Sequence, residues 1–239
     1  MEAVARRVAA PLVLALAALG CPIAGDGAIG EETREVEAFE GLEVFDDFVV
    51  EVTVDAEAAT PTATVRGDAN LLRYVYTEGR SGTHLSLAFK PTQEVVPTTP
   101  PAVKVVTATL TSLYVEDASA VTIAGASGDL ALKAAGEASA EVEGALAAAA
   151  AAAEGAGSLV LRGTAASLVA TQHGSGTIDG GALMVAGDAE VTIDGGGDVI
   201  VCASGEVRGE IARGRLVLAC PPARIVVEVG VLGALEGPP

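Results

Sequence analysis

From residue 113 to about residue 230 the chain repeats a short alternating apolar run that ends in a glycine, at Gly125, Gly144, Gly163, Gly180, Gly195 and Gly209. The spacings are 19, 19, 17, 15 and 14 residues. The runs read Val121-Thr-Ile-Ala-Gly, Ala140-Glu-Val-Glu-Gly, Leu159-Val-Leu-Arg-Gly, Gly176-Thr-Ile-Asp-Gly, Val191-Thr-Ile-Asp-Gly and Gly205-Glu-Val-Arg-Gly, and the residue two before each glycine is always apolar. Between them lies a second set, Leu113-Tyr-Val, Leu130-Ala-Leu, Leu168-Val-Ala, Leu183-Met-Val, Val199-Ile-Val and Leu216-Val-Leu. Each repeat therefore holds at least two short strands and two turns. Repeats this short, built from period-2 strands, cannot each bury a face alone and must stack on their neighbours. The sequence predicts an all-β parallel β-solenoid, in which equivalent strands of successive turns pair at about 4.8 Å and glycines take the corners. The competing architecture is an antiparallel sandwich; a glycine phase kept over six units favours the solenoid.

Half of the 239 residues are hydrophobic, mostly Ala, Val and Leu, whereas aromatics make up 3% and Trp is absent. Any core is thus built of thin aliphatic layers, and a stacking platform for sugars or bases is hard to assemble. The net charge of −18 makes nucleic acid and anionic membrane surfaces poor partners. Acidic turns and outward strand positions also serve simply to keep a solenoid soluble.

The amino terminus reads as a targeting segment. Arg6 and Arg7 precede an apolar run, Val8 to Leu19, that is too short to span a bilayer, which needs about 20 residues. Residues 1–20 are expected to be a signal peptide. The sequence Ala18-Leu19-Gly20-Cys21 resembles the lipobox of bacterial lipoproteins, with Ala in place of the usual Leu three before the cysteine and Leu in place of a small residue two before it. That resemblance implies lipidation of Cys21, against ordinary cleavage at the same bond. Removing Arg6, Arg7 and Glu2 with the signal leaves 12 basic and 31 acidic residues, a charge of −19. Residues 21–36, rich in glycine and acid, are expected to form a tether.

With Cys21 lipidated, Cys202 and Cys220 remain as a pair, 18 residues apart. One turn of the solenoid would bring them onto adjacent rungs, although their strands are offset by one residue. A disulfide and two buried thiols acting as small hydrophobes both stay open.

Residues 37–102 do not follow the repeat and are expected to form a small β-rich cap, with 103–230 the rungs and 231–239 a tail. In the cap, Asp68 is placed to cap a short helix begun by Gly67-Asp-Ala-Asn-Leu-Leu-Arg-Tyr-Val. Pro91 to Pro101 reads as a loop or edge crossing. Ala147 to Ala153, seven alanines in a row, favours helix by intrinsic propensity. The undisturbed 19-residue spacing across it predicts a rung of small residues instead.

Phe39-Glu-Gly-Leu-Glu-Val, Phe48-Val-Val-Glu-Val, Gly67-Asp-Ala-Asn-Leu-Leu, Gly82-Thr-His-Leu-Ser-Leu and then Leu113-Tyr-Val-Glu-Asp-Ala-Ser-Ala-Val-Thr-Ile with its echoes together resemble the bacterial family called putative auto-transporter adhesin, head GIN domain. The resemblance covers about residues 37–230. The chain keeps fragments of the family's repeat, such as Asp117-Ala-Ser-Ala-Val and Gly136-Glu-Ala-Ser-Ala, and has no Gly-Ile-Asn. The resemblance implies a right-handed β-helix on an exported or lipid-anchored envelope protein with an adhesion-like role, and it transfers no catalytic residues. Every segment beyond residue 37 is used by the domain, which leaves no stretch for a membrane barrel of its own.

Sites of chemistry are sparse. His173, in Gln172-His-Gly-Ser-Gly, stands where a nucleophile elbow needs its first glycine, so Ser175 reads as a turn serine and His173 as a solvated corner. His84 lies in an expected strand. Asp179, Asp194 and Asp198 sit beside glycines, but the nine-residue period of calcium-binding β-rolls is missing. Arg208, Arg213, Arg215 and Arg224 form the one local basic cluster and read as a solvated face. No metal, cofactor or catalytic residue is assigned. The expected function is a non-enzymatic, lipid-anchored envelope protein, at the cell surface or in the periplasm, displaying a binding or adhesion-like surface to an unknown ligand. The alternatives are a carbohydrate-active β-helix enzyme, which needs carboxylates and an arginine in one groove, and a periplasmic structural or envelope-stress accessory.

Overall fold

The computed structural model describes residues 22–80 and 83–238. Residues 1–20 and Cys21, to which the signal and lipid expectations belong, lie outside them. Among the described residues the backbone is nearly all strand, with one 3-10 turn at Leu72–Tyr74, and it winds into a β-solenoid of about seven turns.

Three strands of 15 residues, Ala120–Ala134, Ser139–Ala153 and Ser158–Gln172, show how one turn is made. The start of Ala120–Ala134 pairs in parallel with Val49–Val54, whereas its end pairs with Ser112–Val115. Two register shifts, at Ala124/Ala126 and Gly128/Asp129, bend the strand between those partners. Each turn thus has a first face (120–124), a second (126–130) and a third (131–134), and then a tight corner back to the first. Alternation inside each face sends Val121, Ile123, Leu130, Leu132 and Ala134 inward, where all are buried.

Register fixes the length of a turn. On the first face Val121, Ala140, Leu159, Ile178, Val199 and Leu216 are successive partners, with three equal steps followed by one slightly longer and one slightly shorter. The glycine phase expected from the sequence holds for three units only. Gly144 pairs with Gly163 at the corner between the first and second faces, but Gly180 pairs with Val201 on the first face and Gly209 with Val191 on the third. Gly195 belongs to yet another corner, above Gly174. The apparent shortening of the glycine spacing along the chain is a change of corner, because an inward branched residue followed by a bend recurs on more than one side.

The corner after the third face is a column of left-handed residues. Asp46, Asp117, Gly136 and Gly155 there have φ of 61°, 62°, 68° and 68°, the left-handed region that Gly and Asp tolerate. The aspartates also clip turn to turn: Asp117 accepts from the Asp46 N–H (3.1 Å), Asp47 from the Ala118 N–H (2.9 Å) and Asp46 from the Phe89 N–H (2.7 Å). One turn further on, buried Gln172 donates to the Gly176 carbonyl and accepts from the Gly174 N–H at 2.9 Å, bracing the corner from inside.

The amino-terminal third differs from the expected cap. Gly41–Val44 and Val49–Val54 already form a rung, pairing in parallel with Ser112–Val115 and Ala120–Ala124. Residues 55–111 are an insertion between consecutive turns. It adds His84–Phe89 beside Gly41–Val44 and Ala102–Thr107 beside Val49–Val54, both parallel, and then antiparallel Thr62–Asp68 and Val75–Arg80. The sequence hides this rung because its partner stands on the far side of that insertion.

Residues 22–35, expected as a tether, contain strands: Ile23–Ala24 pairs with Val95–Val96, and Ile29–Glu35 pairs antiparallel with Thr62–Asp68. Asp68 does not cap a helix. Its buried carboxylate accepts from the Gly27 N–H, the Thr98 N–H and the Thr98 hydroxyl, each at 2.8 Å. Those bonds, the Thr98 N–H foremost, hold its carboxyl below the usual range against the opposing cost of burial. Ala147 to Ala153 is strand, with Ala149, Ala151 and Ala153 buried and Ala150 and Ala152 pointing out. Neighbouring rungs supply the hydrogen bonds and packing that override helix propensity. At the far end Arg224–Glu236 is a full further rung, where a tail was expected from residue 231.

Candidate functional site

The third face carries two outward columns. One runs Gly41, Ser112, Ala131, Ala150 and Val169, and the next runs Glu43, Tyr114, Lys133, Ala152 and Thr171. The first is small over four turns and the second is bulky for three, so the face is troughed. The trough has a volume of about 380 Å³ and is lined mainly by apolar atoms, with His84 at one end and Val169 at the other. Five strands at about 4.8 Å each make the small column roughly 19 Å long. Its floor at Ala150 and Ala152 comes from the alanine run, where outward side chains are pared to methyl groups.

The wall is rigid. Tyr114 donates its hydroxyl to Glu116 at 2.7 Å, and its ring meets Phe45 edge-on at 5.7 Å between centroids. That hydrogen bond to Glu116, then burial, then the charges of Glu116, Glu154 and Asp117 push its phenol up to about 12. The Lys133 ammonium lies 5.7 Å from the Tyr114 ring centre and 2.9 Å from Glu154. Glu43, at the foot of the wall, has one carboxylate oxygen buried without a hydrogen-bond partner. The trough therefore offers an apolar floor and an amphipathic wall, an arrangement suited to holding an elongated ligand. Among its described lining residues Glu43 is the carboxylate, and Lys133 and His84 are the basic side chains.

No sequence motif marks Glu43, Tyr114 or Lys133. The signal was positional: read at outward register positions, Ser112, Ala131 and Ala150 line up as a run of small residues beside larger ones.

The residues singled out from the sequence lie elsewhere. His173 stands at a corner with Nδ1 2.8 Å from the Asp194 carboxylate of the next turn, and Ser175 is in that corner. Asp179 accepts from the Gly181 N–H at 3.0 Å and Asp198 receives Arg215 at 2.6 Å. Among the described residues no cluster of three His, Cys, Asp or Glu side chains is arranged to hold a metal. His84 has Nδ1 2.9 Å from the Thr83 hydroxyl.

The arginine cluster is spread along the outside as rung-to-rung partners: Arg208 to Glu190 (2.9 Å), Arg224 to Glu206 (3.2 Å), Arg215 to Asp198 and Glu236 (2.6 and 3.3 Å), and Arg213 to the Asp194 carbonyl (3.0 Å). Asp198 first, then Glu236, raise the Arg215 guanidinium further above its ordinary range.

Cys202 and Cys220 come together outside the core, both half-buried, with Cα atoms 4.9 Å apart. The one-residue offset is absorbed because the paired strand ends at Leu218 and the chain turns there.

A family model described as putative auto-transporter adhesin, head GIN domain, matches residues 38–219. No curated protein matches the chain by sequence. Among solved structures, a putative adhesin from Bacteroides fragilis superposes with a TM-score of 0.81 at 16% identity, covering 90% of this chain and 99% of that one. A putative adhesin from Parabacteroides merdae gives 0.73 at 18% identity, with 90% and 98% covered. A putative lipid binding protein from Parabacteroides distasonis gives 0.63 at 15% identity, with 89% and 99% covered. At these identities the likeness establishes a common fold.

Proposed function

This chain belongs to the putative auto-transporter adhesin, head GIN domain family, and from that premise we propose that it is an exported, lipid-anchored envelope protein whose right-handed coil displays a non-enzymatic, adhesion-like binding surface. The observation that carries the reading is the trough on the third face, whose rigid Tyr114 and Lys133 wall and methyl floor are built to hold a ligand. The family description and the structural neighbours described as adhesins support it. Cys21 is the lipid anchor, and Cys202 and Cys220 form a disulfide. The test has two arms. Protease shaving of intact cells, with antibody against residues 113–230 and a periplasmic control, is expected to remove the coil while sparing the control. Ala152→Arg, which fills the trough from an outward position, is expected to abolish attachment of expressing cells to mucin-coated wells. Protection of the coil in intact cells would shift the reading to a periplasmic accessory, and equal attachment by Ala152→Arg would remove the trough from it. Cys21→Ser is expected to leave the membrane fraction; retention there would refute the anchor.

The apolar floor also supports a second reading, in which the trough holds an aliphatic chain, and one fold neighbour is described as a putative lipid binding protein. A fluorescent fatty acid that brightens with the wild-type chain but not with Ala152→Arg is the expected signature; no brightening with either rejects this reading.

A further inference from the structure

The last turn is built like an interior turn but has a neighbour on one side only. Arg224–Glu236, 13 residues long, pairs along one edge with Glu206–Leu218 and, among the described residues, with nothing along the other. Ile225, Val229 and Leu235 continue the inward columns of Val207, Ile211 and Leu216, yet they are 46%, 45% and 37% exposed. Val231 and Leu232 are more exposed still. A long apolar strand edge with free N–H and C=O groups is a docking site for another strand.

We propose that this edge pairs with the same edge of a second copy, across a two-fold axis at Gly230. A two-fold makes the strands antiparallel, so Val229 opposes Val231, Ile225 opposes Leu235 and Arg224 opposes Glu236. The self-pairing is consistent on three counts. Ile225 and Leu235 both belong to inward columns, so the two cores meet core to core. Arg224 and Glu236 are opposite charges at the two ends of the strand, already oriented by Glu206 and Arg215 of the preceding turn. Glu228 faces Leu232, so the register opposes no like charges. Stacking on the far end of another copy is disfavoured, because that end has two antiparallel edges, Ile29–Glu35 and Val75–Arg80, and the first brings Glu31, Glu32 and Glu35 against an edge that already carries Glu228 and Glu236. The contact is isologous and closes at two copies without forming a fibre.

The experiment uses the full chain, expressed and exported by cells. Gly230→Cys places a thiol on the axis and is expected to give an oxidised species of twice the chain mass. Met184→Cys, an exposed position on a lateral face, is the control and should give none. Adding Val229→Lys and Val231→Lys to Gly230→Cys is expected to lower the cross-linked fraction about tenfold through like-charge repulsion at the axis. Sedimentation equilibrium of the wild-type chain, insensitive to how Gly230→Cys folds, should give a dimer. A wild-type monomer, equal cross-linking of Met184→Cys, or an adduct of some other mass would each overturn the proposal, the last pointing to a different partner.

Discussion

At its amino-terminal end the coil finishes in antiparallel strands, whereas at the other end it stops on a parallel rung that repeats the interior pattern. The first end is sealed with large side chains. Every Phe and Tyr lies between residues 39 and 114, and Phe48 and Phe89 pack at 5.2 Å between ring centres. Its edge strand is charged, and Arg34 ties that strand inward through the carbonyls of Leu72 and Val75, each at 2.8 Å. The second end has aliphatic side chains and no aromatic ones, several of them half-exposed, and its charges are Arg224 and Glu236 at the tips of the strand and Glu228 between them. The same solenoid therefore carries one edge made unfit for pairing and one left fit for it.

Charge insertion exposes that contrast most strongly. Val65→Lys, in a fully buried position of the sealed end, is expected to cost about 4 kcal/mol or more in urea unfolding, since a lone ammonium is forced into the core. Gly174→Ala, midway along the coil, tests whether the ends are joined by one cooperative stack. Its methyl would overlap the Gly155 backbone oxygen, and a loss of about 3 kcal/mol is expected. A wild-type midpoint for that variant would refute the tight corner. Replacing Cys202 and Cys220 by alanine should cost about 3 kcal/mol, the loop entropy of a bridge between residues 18 apart, felt mainly by the open end. Hydrogen exchange confined to residues after 200 would show that confinement.

A pH series separates the ends again. Asp68 has a folded-state pKa below its unfolded value, so its contribution is complete above the ordinary carboxylate value of about 3.9 and is lost as pH falls through the depressed one. Asp68→Asn should therefore be less stable than wild type at pH 7, with the gap closing below about pH 4. A gap that is constant with pH would mean that the carboxylate's charge is not what staples Gly27 and Thr98. The smallest effect belongs to the open end, where Val231→Lys, measured at a chain concentration too low for two copies to pair, should change stability by no more than about 0.5 kcal/mol.

The solenoid was legible because its inward columns demand an apolar residue at every second position, and those demands repeat at nearly constant spacing. The family was legible in the succession of Phe39, Gly67 and Leu113 segments. What misled was glycine. Gly125, Gly195 and Gly209 look alike in sequence because each follows a branched inward residue, yet they serve different sides of the coil. Residues 22–35 read as a tether because Gly25, Gly27 and the glutamates mask an edge strand whose hydrogen bonds come from Thr62–Asp68. The trough was hidden for a related reason: smallness at Ser112, Ala131 and Ala150 acquires meaning only once register sets them side by side.

The long insertion between the first rung and the second bears on the order of assembly. Each later turn closes over a short stretch of neighbouring chain at low entropic cost, whereas the first rung must wait until residues 55–111 are in place. The amino-terminal end is thus expected to be the last to lock. Pulse-labelled hydrogen exchange during refolding should find Ala120–Ala134 protected before Thr62–Asp68. A chain that matures in that sequence keeps its amino-terminal strands open until the middle of the coil has formed, and only then folds them back onto it.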